Sequence, residues 1–351
     1  MKLVVYGPDR RLGALQGDQV IDLNGAAAKY LKETQNEPLP YEMATATVPS
    51  DLDRFILTGQ RGIEGAQRAV EHVTAKAADQ LGLKGERLVL PRADVKLHAP
   101  YPTRTRVMMG GGNFIVHSAG MGYRKPDGTT MSLEEVYAQS RAKGIWGFYC
   151  FPENVAGPEE DVIYPTRTDR LDYEGEVAVI LGKRGKDIKA SDAKDYIWGY
   201  TLQNDVSART TIPTRDNPQS TFNRAKNFDN SICAGPCIVV DEFSDPHNVT
   251  WETRVNGEVR QSGNTKDMTF NFFEYIEYMS ADMTLMPGDI ISAGTTAGTA
   301  QDSSPIMAGT GGEGAPAVRD PARFLKPGDV VEISNPAIGV LRNRVVAKPV
   351  V

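Results

Sequence analysis

Over the first 55 positions apolar residues come in short runs cut by turn residues. Leu3-Val4-Val5-Tyr6 precedes the Gly7-Pro8-Asp9 turn, Leu12-Gly13-Ala14-Leu15 precedes Gly17-Asp18, and Val20-Ile21-Asp22-Leu23 follows. Such a pattern predicts a small antiparallel β unit. Between about 59 and 82 the period changes. Ala66, Ala69, Val70, Val73, Ala77 and Leu81 recur at helical spacing, which predicts an amphipathic helix. His72, beside Glu71 on its polar side, reads as a surface residue.

Proline then punctuates the stretch 88–102, with Leu90-Pro91 and Ala99-Pro100-Tyr101-Pro102. A domain boundary is expected there, separating a small α/β N-terminal domain (1–98) from a larger domain (99–351). The larger part carries strand-like runs such as Val177–Leu181, Cys237–Val240 and Val330–Ile333. Two strands are introduced by the same Pro-Gly-Asp device, at 287–289 and 327–329, which suits a type II turn. Phe272–Met279 reads as one of a few helices. The fold class expected is α+β, predominantly β. Two stretches read as inserted lid or loop segments: 121–150, with Ser132 and Glu135 spaced as a helix capping box, and the Gly/Ser/Ala/Pro-rich 301–318.

Composition narrows the classes. The 351 residues hold 39 Lys+Arg against 45 Asp+Glu, a net charge of −6, with no clustered basic face. Nucleic acid is therefore not the expected partner. No apolar run approaches the length of a membrane span, and the start is too short and polar for a signal sequence, so a cytoplasmic protein is expected. Three cysteines, Cys150, Cys233 and Cys237, form no disulfide framework and point to a reducing compartment. With only four histidines, His72, His98, His117 and His247, the imidazole candidates for acid–base chemistry are few.

Glu174 and Glu176 lead into the apolar strand Val177–Leu181 and, two apart, lie on one face of it. Paired carboxylates near a core repel each other unless a cation or a proton lies between them. Oxygen ligands of this kind suit Mg²⁺, Mn²⁺ or Ca²⁺ better than zinc. Glu-x-Glu also occurs on solvated strand edges, so the pair alone admits both readings. Asn204-Asp205-Val206-Ser207-Ala208-Arg209 adds a third carboxylate and, in Arg209, a guanidinium fork for a substrate carboxylate. Lys226 precedes the 233–240 strand. The glycine-rich turn Gly110-Gly111-Gly112-Asn113 leads to His117, without the Gly-Lys-Ser/Thr of a phosphate loop.

Taken in order, these segments resemble the fumarylacetoacetate hydrolase superfamily. The resemblance rests on Glu174-x-Glu176, Asn204-Asp205-Val206-Ser207-Ala208-Arg209, Lys226-Asn227-Phe228-Asp229, Gly294-Thr295, Leu325-Lys326-Pro327-Gly328-Asp329 and the C-terminal Ile338–Val346. It implies a catalytic domain with a rolled mixed β-sheet after a small N-terminal domain, and a homodimer. It implies a divalent ion, Mg²⁺ or else Mn²⁺ or Ca²⁺, on Glu174, Glu176 and Asp205. Lys226 matches the family's active-site lysine and His117 the histidine that activates water. Arg209 and Thr295 match substrate-holding positions, and Asn113 joins them as a candidate.

One departure stands out. Small family members place a glutamate three residues after that histidine, and here the position is Gly120. Glu134, Glu135 and Glu313 are the candidates to partner His117 instead. The activity implied is metal-dependent hydrolysis of a carbon–carbon bond in a 1,3-diketo acid, such as an acylpyruvate. The ion would stabilise the departing enolate, His117 would activate water, and Lys226 would stabilise negative charge on oxygen. The alternative keeps the fold and the small keto-acid substrate: decarboxylation of an oxaloacetate-type acid, isomerisation, or dehydration of a 2-keto-3-deoxy sugar acid. None of these needs a water nucleophile.

Overall fold

Strands Lys2–Tyr6, Arg11–Gln16 and Gln19–Asp22 form the expected antiparallel unit, with Leu3 opposite Ala14 and Ala14 opposite Ile21. The structure is a computed structural model that describes residues 1–76, 80–121, 125, 127–211, 222–240, 245–302 and 321–349. Helix makes up about 30% and strand 32% of it, with no closed barrel.

The N-terminal strands do not form a sheet of their own. Lys2–Tyr6 pairs with Ile232–Val239, Lys2 lying opposite Val239. The sheet continues through Ile197–Asp205, Gly175–Leu181, Ile290–Ser292 and Val107–Gly110 to the edge strand Gly147–Cys150, and has twelve strands in all. Segments 1–98 and 99–351 thus share one hydrogen-bonded sheet across the expected boundary.

Side-chain alternation assigns the two faces of this sheet to two cores. Ala178, Ile180, Ile238 and Ile290 face the N-terminal helices. These are α1 (Leu23–Gln35), α2 (Pro40–Thr47) and α3 (Leu52–Thr74). Val177, Val179, Leu202 and Val239 face the other way, onto Trp251, Ile333 and Leu341 of a second, five-stranded sheet. The central strand Gly175–Leu181 is therefore covered on both sides, and any polar group at its end lies in a dry environment.

Helix α3 begins earlier and ends earlier than its apolar spacing predicts. A non-helical Gly59 (φ 58°, ψ −144°) divides it, so a first segment starting at Leu52 precedes the expected one. Only glycine adopts such a conformation without strain. At the far end Ala77 lies outside the described residues, and Leu81 is half exposed in a bridge to Arg87. His72 is more covered than expected, its Nε2 within 2.7 Å of Glu33.

Helix α4 (Ile115–Gly120) follows the glycine-rich turn, and α5 (Leu133–Lys143) lies within the first inserted segment. The capping box forms: Glu135 N–H donates to Ser132 Oγ (3.2 Å) and Ser132 N–H to Glu135 Oε2 (2.8 Å). The segment then returns as the edge strand Gly147–Cys150. Of the second inserted segment, 303–318 lies outside the described residues. Helices α6 (Phe222–Lys226) and α7 (Phe272–Ser280) complete the set used below. Among the described residues no helix is long and apolar enough to cross a membrane.

Candidate active site

The acidic cluster is assembled by strand register. Gly175 lies opposite Asn204, and Asp205 N–H donates to the Glu174 carbonyl (2.9 Å), so Asp205 sits beside the Glu174–Glu176 strand. Glu174, Glu176 and Asp205 are all buried, and each offers an oxygen within 4.8 Å of the others. A solvated strand edge is thereby ruled out.

Two cations meet this cluster. Lys226, at the end of α6, donates to Glu174 Oε2 (2.7 Å), Asp205 Oδ2 (2.6 Å) and the Asp205 carbonyl (3.2 Å). Arg209 Nε donates to Asp172 Oδ2 (2.8 Å) and Nη2 to Glu174 Oε1. Four buried carboxylates (Asp172, Glu174, Glu176, Asp205) thus face two cations, a deficit of two positive charges if all four are ionised. The deficit falls on one side. Glu176 accepts from Ser292 Oγ and touches neither cation, and Asp205 Oδ1 has no hydrogen-bond partner among the described residues.

The acid strengths divide along the same line. Burial opposes ionisation of Glu174, but Arg209 and Lys226 outweigh it and hold the group down at about 2. Burial and the Asp205 and Glu174 charges push Glu176 well above the carboxylate range. Burial likewise raises Asp205 to about 6, against the pull of Lys226. Hard oxygen donors, one orphaned buried oxygen and a missing dipositive charge fit one Mg²⁺-, Mn²⁺- or Ca²⁺-class ion on Glu174, Glu176 and Asp205.

His117, on α4, is buried, and its Nδ1 is hydrogen-bonded to Asp302 Oδ2. Asp302 is fully buried and is fixed in turn, its Oδ1 accepting from Gly298 N–H (2.9 Å). The loop that carries it is gripped by Asp172, which accepts from Ala300 N–H (2.7 Å) and Gln301 N–H (3.0 Å). Asp172 therefore joins Arg209 and the acidic cluster to the loop that orients His117. His117 Nε2 makes no hydrogen bond among the described residues, and the positive form of the ring would favour the Glu174 carboxylate. The first inserted segment also reaches the site. Phe148 stacks on Phe222 (5.5 Å), and Lys226 Nζ lies 5.6 Å from the Phe148 ring.

Glu174, Glu176, Asp205, Lys226 and Arg209, read from the sequence as site residues, are brought together, and His117 is linked to them through Asp302 and Asp172; several expected roles differ. Among the described residues the partner of His117 is Asp302, not Glu134 or Glu135. Glu134 is exposed on α5, Glu135 is engaged in the cap and with Lys125 (2.7 Å), and Glu313 lies outside the described residues. Arg209 was expected to hold substrate, but its guanidinium is committed to Asp172 and Glu174. The Thr295 hydroxyl donates to the Gly175 carbonyl (2.8 Å) and accepts from Gln261 (2.8 Å), which leaves little capacity for a ligand.

Asn113 is structural in the same way. Its Nδ2 donates to Phe270 O (2.9 Å) and Ala293 O (2.8 Å), and its Oδ1 accepts from Phe270 N–H (2.8 Å). Asn113→Ala is expected to destabilise the fold by about 2–4 kcal/mol, since it leaves buried backbone groups unpaired. Denaturant unfolding measures this; an unchanged midpoint with a raised KM would restore the substrate-binding role.

A family model described as fumarylacetoacetate (FAA) hydrolase, C-terminal, matches residues 116–346. The mitochondrial oxaloacetate tautomerase FAHD2A of Homo sapiens is 33% identical over 301 residues, 86% of this chain and 81% of that protein. Among solved structures, a 2-hydroxyhepta-2,4-diene-1,7-dioate isomerase from Mycobacterium marinum superposes with a TM-score of 0.55 at 30% identity, covering 75% of this chain and 82% of that one. A fumarylacetoacetate hydrolase from Exiguobacterium antarcticum gives a TM-score of 0.67 at 27% identity, covering 99% and 100%.

Proposed function

The chain belongs to the fumarylacetoacetate hydrolase superfamily, and from that premise we propose that it is a divalent-metal enzyme that moves a proton at the carbon beside a keto group. The reaction is tautomerisation or isomerisation of a small 2-keto acid of the oxaloacetate type. The observation that carries this reading is the buried His117–Asp302 pair beside the acidic cluster.

A bound ion, Mg²⁺ being the proposed one, supplies Lewis-acid polarisation of the keto-acid oxygens, which makes the adjacent carbon acidic. The chain's own residues do the rest. Glu174, Glu176 and Asp205 hold the ion. Asp302 fixes the ring and tautomer of His117 through Nδ1, which leaves Nε2 to take a proton from carbon and return it elsewhere. Such a positioned base contributes on the order of 10²–10⁴ in rate. Lys226 and Arg209 keep Glu174 ionised and in place. Because both are held by carboxylates, His117, whose Nε2 makes no hydrogen bond among the described residues, is the group we assign to the proton transfer.

Hydrolysis of a 1,3-diketo acid is the second reading. The same His–Asp pair would suit removal of a proton from water, and one similar structure is named as a hydrolase. The three cysteines are buried and form no disulfide with one another, which supports a reducing compartment such as the cytoplasm.

The test is a panel of oxaloacetate, acylpyruvates and keto-deoxy acids with Mg²⁺ and Mn²⁺, followed by ultraviolet absorbance and product mass. Interconversion of oxaloacetate enol and keto forms without change of mass is expected. Cleavage of an acylpyruvate to pyruvate and a second acid, with no effect on oxaloacetate, would replace this reading with hydrolysis.

A further inference from the structure

Ser292 ends the strand Ile290–Ser292, which pairs with the strand carrying Glu176 so that Ala178 lies opposite Ser292. Side-chain alternation puts Glu176, Ala178 and Ser292 on the same face of the sheet. Ser292 is fully buried there, and its hydroxyl donates to Glu176 Oε2. The other acceptor within reach is the Val177 carbonyl, at 3.5 Å. Gln203, opposite Glu176 on the neighbouring strand, does not compete for the carboxylate. Its Oε1 accepts from Tyr101 (2.5 Å), and its Nε2 is turned to Met109 Sδ (3.2 Å). Among the described residues, Ser292 is thus the hydrogen-bond donor that fixes the Glu176 carboxylate.

Hydrogen bonds limit what the cluster can give an ion. Arg209 and Lys226 hold the two oxygens of Glu174, Lys226 holds Asp205 Oδ2, and Ser292 holds Glu176 Oε2. No carboxylate of the three keeps more than one unengaged oxygen, and Ser292 alone imposes this on Glu176. The arrangement opposes two-oxygen ligation, by which the larger Ca²⁺ gathers roughly six to eight oxygens. Single oxygens in an octahedral shell suit Mg²⁺ and Mn²⁺.

We infer that Ser292 is a positioning residue that selects a small octahedral ion, Mg²⁺ or Mn²⁺, over Ca²⁺ by occupying Glu176 Oε2. This rests on the reading of Glu174, Glu176 and Asp205 as the ion's ligands, and adds which ion they admit. Removing a hydrogen-bond partner of a metal ligand changes metal affinity about 10–100-fold.

Calorimetric titration of the metal-free full-length protein with Mn²⁺, and separately with Ca²⁺, reads the selectivity without substrate. The wild type should bind Mn²⁺ at least about tenfold more tightly than Ca²⁺. In Ser292→Ala, Mn²⁺ binding should weaken about tenfold or more while Ca²⁺ binding is kept or strengthened. Retained Ca²⁺ binding also shows that the variant is folded and its cluster assembled. No saturable heat with either ion in the wild type would remove the metal site itself. Binding in the wild type with an unchanged Mn²⁺ preference in Ser292→Ala would overturn the role of Ser292 alone. So would a wild type that prefers Ca²⁺, or equal loss of both ions in the variant, which would make Ser292 a structural residue.

Discussion

Glu176→Gln is expected to lower kcat/KM by about a thousandfold or more, because it replaces one of three carboxylate ligands by a neutral amide where the charge deficit falls. A metal ion's Lewis-acid contribution is several kcal/mol, and about 4 kcal/mol corresponds to a thousandfold. The fold should not suffer in parallel. In the metal-free protein, burial and two neighbouring carboxylates already drive Glu176 toward its neutral form, and glutamine has the same shape and no charge. The thermal midpoint of the metal-free variant should therefore match or exceed that of the wild type, while the rise in midpoint on adding Mn²⁺ disappears. Melting curves with and without Mn²⁺, read beside turnover, separate loss of the ion from loss of the fold. A variant that keeps both turnover and the Mn²⁺-dependent rise would remove Glu176 from the metal site.

The second large effect is expected at His117. His117→Ala should reduce kcat on the order of 10²–10⁴-fold, the usual contribution of a positioned acid–base group, with Mn²⁺ binding retained. Asp302→Asn should lower kcat in the same direction, since an amide cannot stabilise the imidazolium that forms when Nε2 takes a proton. Steady-state kinetics together with calorimetric Mn²⁺ titration check both. Loss of Mn²⁺ binding in His117→Ala would show that the ring supports the metal site rather than the proton transfer.

The residues that were legible in the sequence carry local signals. Glu174 and Glu176 stand out because a two-residue step puts both on one face of an apolar strand. The burial of Val177–Leu181 follows from its unbroken apolar run, and the α5 cap follows from a three-residue spacing. Asp302 carries no such signal. It meets His117 across 185 positions in sequence, through a loop whose path is set by Asp172 rather than by its own composition. Asp172 itself lies two residues before Glu174, so the parity that singled out Glu174-x-Glu176 extends to it.

Arg209, Thr295 and Asn113 show the converse. Their side-chain types suit a ligand, but pattern does not reveal whether a polar group is already satisfied by its neighbours. Arg209 answers Asp172 and Glu174, Thr295 bridges Gly175 and Gln261, and Asn113 binds the backbone at Phe270 and Ala293. Gly59 in α3 is a milder case: apolar spacing finds a helical face but not the break before it.

At this site we propose that His117 and a divalent ion move a proton at carbon. Exchange of the C3 hydrogens of oxaloacetate in D₂O, followed by NMR with Mg²⁺ and corrected for the protein-free rate, tests it most directly. Exchange accelerated by the wild-type protein, abolished by a chelator and by His117→Ala, and unaccompanied by pyruvate formation is the predicted result. Exchange at the protein-free rate in the wild type, or acceleration that survives in His117→Ala, would contradict it.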